Sequence, residues 1–295
     1  MAKRYVAGVP CWVDVASPEP RATADFYRDL FGWVIEDRAP AAPGGAYLWA
    51  QLDGEDVAGI GAPATSGATT TSGATRAGTA AASWRTYVRV TDLDATAARV
   101  AGAGGTLVTA AFAVPEPGRA ALFADPAGAV LGVWEPSEHP GAQRVNEANT
   151  WNFNTLRTPD PDGAKRFYAA VFGWEPRLAD FGAATATMWC LPGYGEQVER
   201  EHPGWMQGHA DRGSPPGFVD VVGWLEALPV DTPGGGPAWG VELTVDDTRA
   251  TTRRALTLGA RVEVAPFDAG GLWSAVLRDP QGAVFALNDF GQGSA

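Results

Sequence analysis

Two stretches 141 residues apart carry the same frame: DFYRDLFGW at Asp25–Trp33 and RFYAAVFGW at Arg166–Trp174. Each is followed by further matches, since WRTYVRVTD (Trp84–Asp92) returns as WGVELTVDD (Trp239–Asp247) and DPAGAV (Asp125–Val130) as DPQGAV (Asp279–Val284). A chain that repeats itself in this way folds as two copies of one unit, and its ligand site is expected where equivalent elements face each other. Its 295 residues leave about 150 to each copy, enough for a real core in both.

Each copy divides again. In the first, CWVDV reads as a strand and SPEPRATADFYRDLFG as a helix, with prolines at its entry, Ala24, Phe26, Tyr27, Leu30 and Phe31 at helical spacing, and Gly32 at its exit. AYLWAQLDGEDVAGIG then reads as a hairpin turning at Asp53-Gly54. WRTYVRV, DLDATAARVAGAGG, TLVTAAFAV and RAALFADPAGAVLGVWE repeat the order strand, helix, strands. The second copy follows suit, departing from the first in an insert over 193–236. The Gly-, Ser-, Thr- and Ala-rich run 63–83 reads as a flexible connector. The expected division is a first domain over 1–140, a linker over 141–150 and a second domain over 151–295: an α+β chain of four βαβββ modules paired two and two.

A net charge of −12 argues against nucleic acid or an anionic membrane as partner, because both call for clustered Lys and Arg. A neutral or cationic small molecule is easier to accommodate. No run approaches the length of a membrane span, and the reading is cytoplasmic. Four modules complete both units in one chain, so a monomer suffices, with a homodimer as the other option. Cys11 and Cys190 have no metal-ligand spacing and read as reduced, buried thiols. His202 and His209 are seven apart, too far for helical i, i+4 metal pairing.

Four βαβββ units with FY-x3-FGW after a helix and DP-x-G near the end of each half resemble the vicinal oxygen chelate superfamily, which includes glyoxalase I, bleomycin-resistance proteins and extradiol dioxygenases. The linker HPGAQRVNE (His139–Glu147) followed by Trp-Asn is similar to a two-domain actinobacterial glyoxalase-like or hydroxylase subgroup. The resemblance implies paired modules forming two half-open barrels, each with a concave ligand face. Enzymatic members hold a divalent metal there, with a His or Gln on a first strand and a Glu on a last strand. The matching positions here are Trp12, Phe153, Arg85 and Gly240 on first strands, and Gly132 and Ala286 on last strands. None is a ligand type, so no metal and no other cofactor is expected unless a divalent ion draws ligands from unaligned places such as Asp14, His139 or Glu147.

Two residues further along each first strand, and so on the same face, lie Asp14, Tyr87, Thr155 and Glu242. Asp14, Arg85 and Tyr87 are the candidate catalytic set, with Asp14 as base or acceptor and Arg85 as anion donor; mutual pairing of Asp14 and Arg85 is the plain alternative. Trp12, Trp49, Phe153, Thr155, Trp189, Trp239, Glu242 and His139 are the candidate ligand-binding set, in which the rings suit an aromatic ligand. The Trp rings also serve as core, and His139 as a turn residue. The functional expectation is a protein that binds a small aromatic or hydrophobic metabolite in an aromatic-lined cavity without metal, of resistance or sequestration type. The alternative is a glyoxalase-like lyase or a secondary-metabolism tailoring enzyme using the same cavity.

Overall fold

A computed structural model describes residues 5–38, 47–63, 81–113, 118–181, 185–229, 236–269 and 271–289. Most of the connector, 64–80, lies outside them. The first half runs β1 (Pro10–Ala16), α1 (Pro20–Phe31), β2 (Val34–Asp37), β3 (Tyr47–Leu52), β4 (Glu55–Gly61), β5 (Ser83–Arg89), α2 (Leu93–Gly102), β6 (Thr106–Ala113), β7 (Gly118–Ala124) and β8 (Val130–Pro136). The second runs β9 (Thr150–Thr158), α3 (Pro161–Phe172), β10 (Glu175–Asp180), β11 (Thr185–Cys190), α4 (Tyr194–Glu201), α5 (Trp205–Asp211), a 3-10 turn (Phe218–Asp220), β12 (Val221–Ala227), β13 (Ala238–Thr244), α6 (Thr248–Thr257), β14 (Arg261–Asp268), β15 (Trp273–Arg278) and β16 (Val284–Asp289).

The local reasons are those of the repeat. Pro20 and Pro161 stand in the first turns of α1 and α3, where a missing N–H costs nothing, and Gly32 and Gly173 end both helices at positive φ (75° and 74°). Asp53 and Gly54 both take positive φ, as the tight β3–β4 hairpin requires. Each half forms an eight-stranded mixed sheet, ordered β2-β3-β4-β1-β5-β8-β7-β6 in the first and, position for position, β10-β11-β12-β9-β13-β16-β15-β14 in the second. Antiparallel pairing of β1 with β5, and of β9 with β13, joins adjacent modules, so the first pairs with the second and the third with the fourth. The sheets curve into half-open barrels that do not close.

The run GFVDVVGWLEALP, read from sequence as part of the insert, supplies β12, which pairs in parallel with β9 as β4 pairs with β1. What is added between β11 and β12 is α4, α5 and the 3-10 turn. His202 ends α4 and His209 lies in α5, so the two histidines are not on one helix.

The helix-covered faces of both sheets share one core, and the repeated motifs join them. Trp84 Nε1 donates to Tyr27 Oη (2.8 Å), and Tyr27 Oη donates to Asp279 Oδ2 of the other half (3.0 Å). The copy matches it: Trp239 Nε1 donates to Tyr168 Oη (2.8 Å), which donates to Asp125 Oδ2 (3.1 Å). The other oxygen of each aspartate accepts backbone N–H groups of its own DP-x-G turn. Trp33 and Trp174 donate across the halves to the carbonyls of Asn149 (2.8 Å) and Gly8 (2.7 Å). The FY and FGW aromatics are thus packing residues with polar ends satisfied by the opposite copy.

Candidate site on the concave faces

Alternation along each strand sends every second side chain to the open, concave face. The registers Asp14–Arg85 and Tyr87–Gly132 recur as Thr155–Gly240 and Glu242–Ala286. Trp12, Asp14, Arg85, Tyr87 and Gly132 therefore occupy the same places in the first half as Phe153, Thr155, Gly240, Glu242 and Ala286 in the second. The two faces share geometry and differ in what stands on it.

On the first face the described side chains pack over the glycines and against one another. Tyr87 lies over Gly132, where an added Cβ would meet its ring at 2.3 Å, and Tyr47 lies over Gly59, where a Cβ would meet its hydroxyl at 2.1 Å. Asp14, Arg85 and Tyr87 come together: Tyr87 Oη donates to Asp14 Oδ2 (3.0 Å), and Arg85 Nε forms an ion pair with Oδ1 (3.0 Å). Burial pushes the Asp14 carboxyl up despite the opposing pull of Arg85 and Tyr87, and burial also raises the Tyr87 hydroxyl. Asp14 is only 3% exposed, so the three side chains form a buried network paired among themselves.

His139 joins this packing. Its ring stands edge-on to Trp12 (4.8 Å between centroids), Trp49 (4.4 Å) and Trp134 (6.2 Å). Its Nε2 lies 3.7 Å from Asp56 Oδ2. Asp56 also receives Arg38 (2.8 and 3.1 Å) and Gln51 (2.8 Å). Burial works against that carboxylate, but the neighbouring His139 ring and the bonds from Arg38 and Gln51 outweigh it and hold the group at about 2. The backbone of the linker is pinned as well, by Trp134 Nε1 to His139 O (2.9 Å), Ala142 N to Cys11 O (2.7 Å), Tyr5 Oη to Ala142 O (2.8 Å) and Gln143 N to Asp56 O (2.8 Å). Trp12, Trp49 and His139 thus pack against one another.

The second face keeps a small, open cleft, lined by Thr155, Arg157, Gly240, Val241, Glu242, Val276, Val284, Phe285 and Ala286. Glu242 is its polar centre. Thr155 Oγ1 donates to one carboxyl oxygen and Asn288 Nδ2 to the other (2.7 Å). Burial raises the Glu242 carboxyl, with these two bonds acting in the opposite sense. Phe153 pairs directly across from Glu242 in the β9–β13 ladder. Its ring packs edge-on to Trp224 (5.3 Å) and Phe218 (6.3 Å), all partly exposed. Counting by two from Thr155 and Ala286 would have found Arg157 and Asn288. Trp224 was hidden by the misplaced insert boundary.

Trp189 and Trp239 stand on the opposite side, against Tyr168 and Trp174. Trp189 looks like the counterpart of Trp49, but Trp49 pairs with Glu36 and Trp189 with Pro176, three and two residues after the equivalent Trp33 and Trp174. That one-residue difference in register turns Trp189 to the helices. Cys190 and Cys11 are buried and free, and burial pushes the Cys190 thiol up to about 11.

The family's divalent ion does not fit these residues. The six aligned positions offer two rings, a guanidinium, two glycines and an alanine. Asp14 and His139 are engaged as described, and Glu147 pairs with Arg144. Among the described residues no three His, Cys, Asp or Glu side chains converge to hold a metal. No described helix is long and apolar enough to cross a membrane.

A family model described as a glyoxalase-like domain matches residues 12–133 and again 153–288. "Putative glyoxylase CFP32" of Mycobacterium tuberculosis is 34% identical over 97% of this chain and 97% of its own length. "Anthracycline biosynthesis protein DnrV" of Streptomyces peucetius is 32% identical over 98% of this chain and 96% of its own. Among solved structures, the 2,3-dioxygenase LapB of Pseudomonas sp. KL28 superposes with a TM-score of 0.58 at 14% identity, covering 97% of this chain and 94% of that one. The Mn(II)-bound glyoxalase of Novosphingobium aromaticivorans gives 0.56 at 16%, covering 96% and 82%. At these identities the structural likeness is one of fold, the vicinal oxygen chelate fold.

Proposed function

This chain belongs to the glyoxalase-like domain family, once in each half, and from that premise we propose that it binds a small aromatic or hydrophobic metabolite, without a metal, in the cleft of its second half. The supporting observation is the contrast between the copies. Where the first half places Arg85 and Tyr87 over Gly132, the second has Gly240, Glu242 and Ala286 and leaves room above them. The cleft is small and open, well below the roughly 300–1,000 Å³ of a drug-sized site; it takes one end of a ligand whose remainder lies outside it. Phe153 and Trp224 supply an aromatic wall beside it. The relative named for anthracycline biosynthesis agrees with a fused-ring ligand.

A second reading, acid–base catalysis, is favoured by Glu242 itself, because a carboxyl raised by burial and lining a cleft is what proton transfer near neutrality requires.

Titration of intrinsic Trp fluorescence with fused-ring aromatics, with and without chelator, tests the binding reading. Binding should survive chelation and weaken more than tenfold in Gly240→Phe. An added Cβ there meets nothing closer than 3.7 Å, so the new ring can enter the cleft without displacing the backbone. Binding lost to chelator and restored by a divalent ion, or unchanged in Gly240→Phe, overturns it. Turnover that Glu242→Gln abolishes would establish the catalytic reading instead.

A further inference from the structure

The carboxyl of Glu242 is hydrogen-bonded by neutral donors alone and shares its nearby cation, Arg157, with Glu226. Its two partners, Thr155 and Asn288, are neutral donors. Arg157 lines the same cleft, but its guanidinium Nε is bound to Glu226 at 2.7 Å. Two carboxylates therefore face one guanidinium. In the first half the nearest analogue, Asp14, is neutralised by Arg85, which stands where the second half has Gly240. The second half thus replaces a direct carboxylate–guanidinium pair with a guanidinium shared between two carboxylates, the Arg157 Nη1 lying 3.9 Å from where a Cβ of Gly240 would stand.

A carboxylate offers about four acceptor sites, of which the protein fills two. Holding a half-buried carboxylate with only a shared cation is costly, and a ligand that supplied a second charge would recover part of that cost. The adjacent surface has the matching chemistry. Phe153 sits across the ladder from Glu242, Trp224 pairs with Thr155, and both rings are partly exposed. Ring faces next to a carboxylate attract ammonium groups.

We propose, resting on the binding reading above, that the ligand of this cleft carries a cationic amine on an aromatic or apolar frame, with the ammonium taken by Glu242 and the frame lying against Phe153 and Trp224. Glu226 at the mouth keeps Arg157 from repelling the ammonium.

Three probes of one shape test this: 1-naphthylmethylamine, 1-naphthalenemethanol and 1-methylnaphthalene, titrated by calorimetry and Trp fluorescence at pH 7. The amine should bind about 10–100-fold more tightly than either neutral probe, the range expected of a charge-assisted bond. Glu242→Gln should erase that preference while leaving the neutral probes within about twofold, since shape and hydrogen-bonding capacity are retained. Phe153→Ala should weaken all three alike. Neutral probes binding as tightly as the amine would overturn the amine assignment and leave the cleft reading intact. Failure of all three to bind, or binding indifferent to Gly240→Phe, would overturn both. Circular dichroism and an unchanged melting temperature within 3 °C would show that Glu242→Gln is folded. A Glu242→Asp variant, with its charge one methylene further back, should keep a reduced amine preference.

Discussion

Replacing Tyr27 by Phe tests whether the cross-half clamps hold the protein together. The hydroxyl is fully buried, accepts from Trp84 and donates to Asp279. Its removal leaves an indole N–H without an acceptor and a carboxyl oxygen without a donor. An abandoned buried group costs about 1–3 kcal/mol, so the pair comes to about 3 kcal/mol. In a chain of this size that corresponds to a fall in melting temperature of about 5–10 °C. The loss should also depend on pH. Burial raises the Asp279 carboxyl while the Tyr27 bond lowers it, so the hydroxyl stabilises the ionised form more than the acid. The deficit of the variant should therefore be larger at pH 7 than at pH 4. Scanning calorimetry and urea unfolding at both values measure it, and Tyr168→Phe should give a matching loss at pH 7 through Asp125 and Trp239. A cost under about 0.5 kcal/mol at pH 7, or a deficit that grows on acidification, would refute the reasoning.

His139→Ala should cost about 2–4 kcal/mol by opening a cavity among three tryptophans, with a change in Trp fluorescence and without effect on binding in the second half. The Asp56 carboxylate is held at about 2, below its ordinary value near 4. It thus contributes stability above that value which is lost as pH falls from about 4 to 2, and Asp56→Asn should flatten this part of the acid-unfolding curve. Glu242 behaves in the opposite sense: its raised carboxyl favours the protonated folded state, so stability falls as pH rises through its titration. Glu242→Gln should be more stable than the parent at pH 8 and equal to it at pH 3.5 by urea unfolding.

Sequence periodicity exposed the modules because FY-x3-FGW and DP-x-G are local signals, each fixed by a helix end or a turn. The concave positions Asp14, Tyr87, Thr155 and Glu242 followed from counting by two along strands. What periodicity could not show was which side chains pack against one another there. The partners of Asp279 and Asp125 lie 252 and 43 residues away, and the burial of His139 depends on Trp49, Trp134 and Asp56 meeting in space. The Trp49 and Trp189 motifs are alike as strings, yet a one-residue difference in the distance from the preceding helix sends their rings to opposite sides. The insert boundary failed for a related reason: β12 is a strand with little resemblance to β4, which has Gly59 and Gly61 where β12 has Trp224 and Glu226.

The linker that carries His139 is covalently continuous with β8 and β9, so its occupancy of the first face is an intramolecular equilibrium. A tethered group of this kind acts at an effective concentration of about millimolar or more, before counting the four backbone anchors that fix it. A free solute would have to outcompete that standing concentration to enter. On the proposed binding reading, free solutes below that concentration should leave the first half unoccupied, and a dose–response in this protein should show one class of site per chain despite its two equivalent folds.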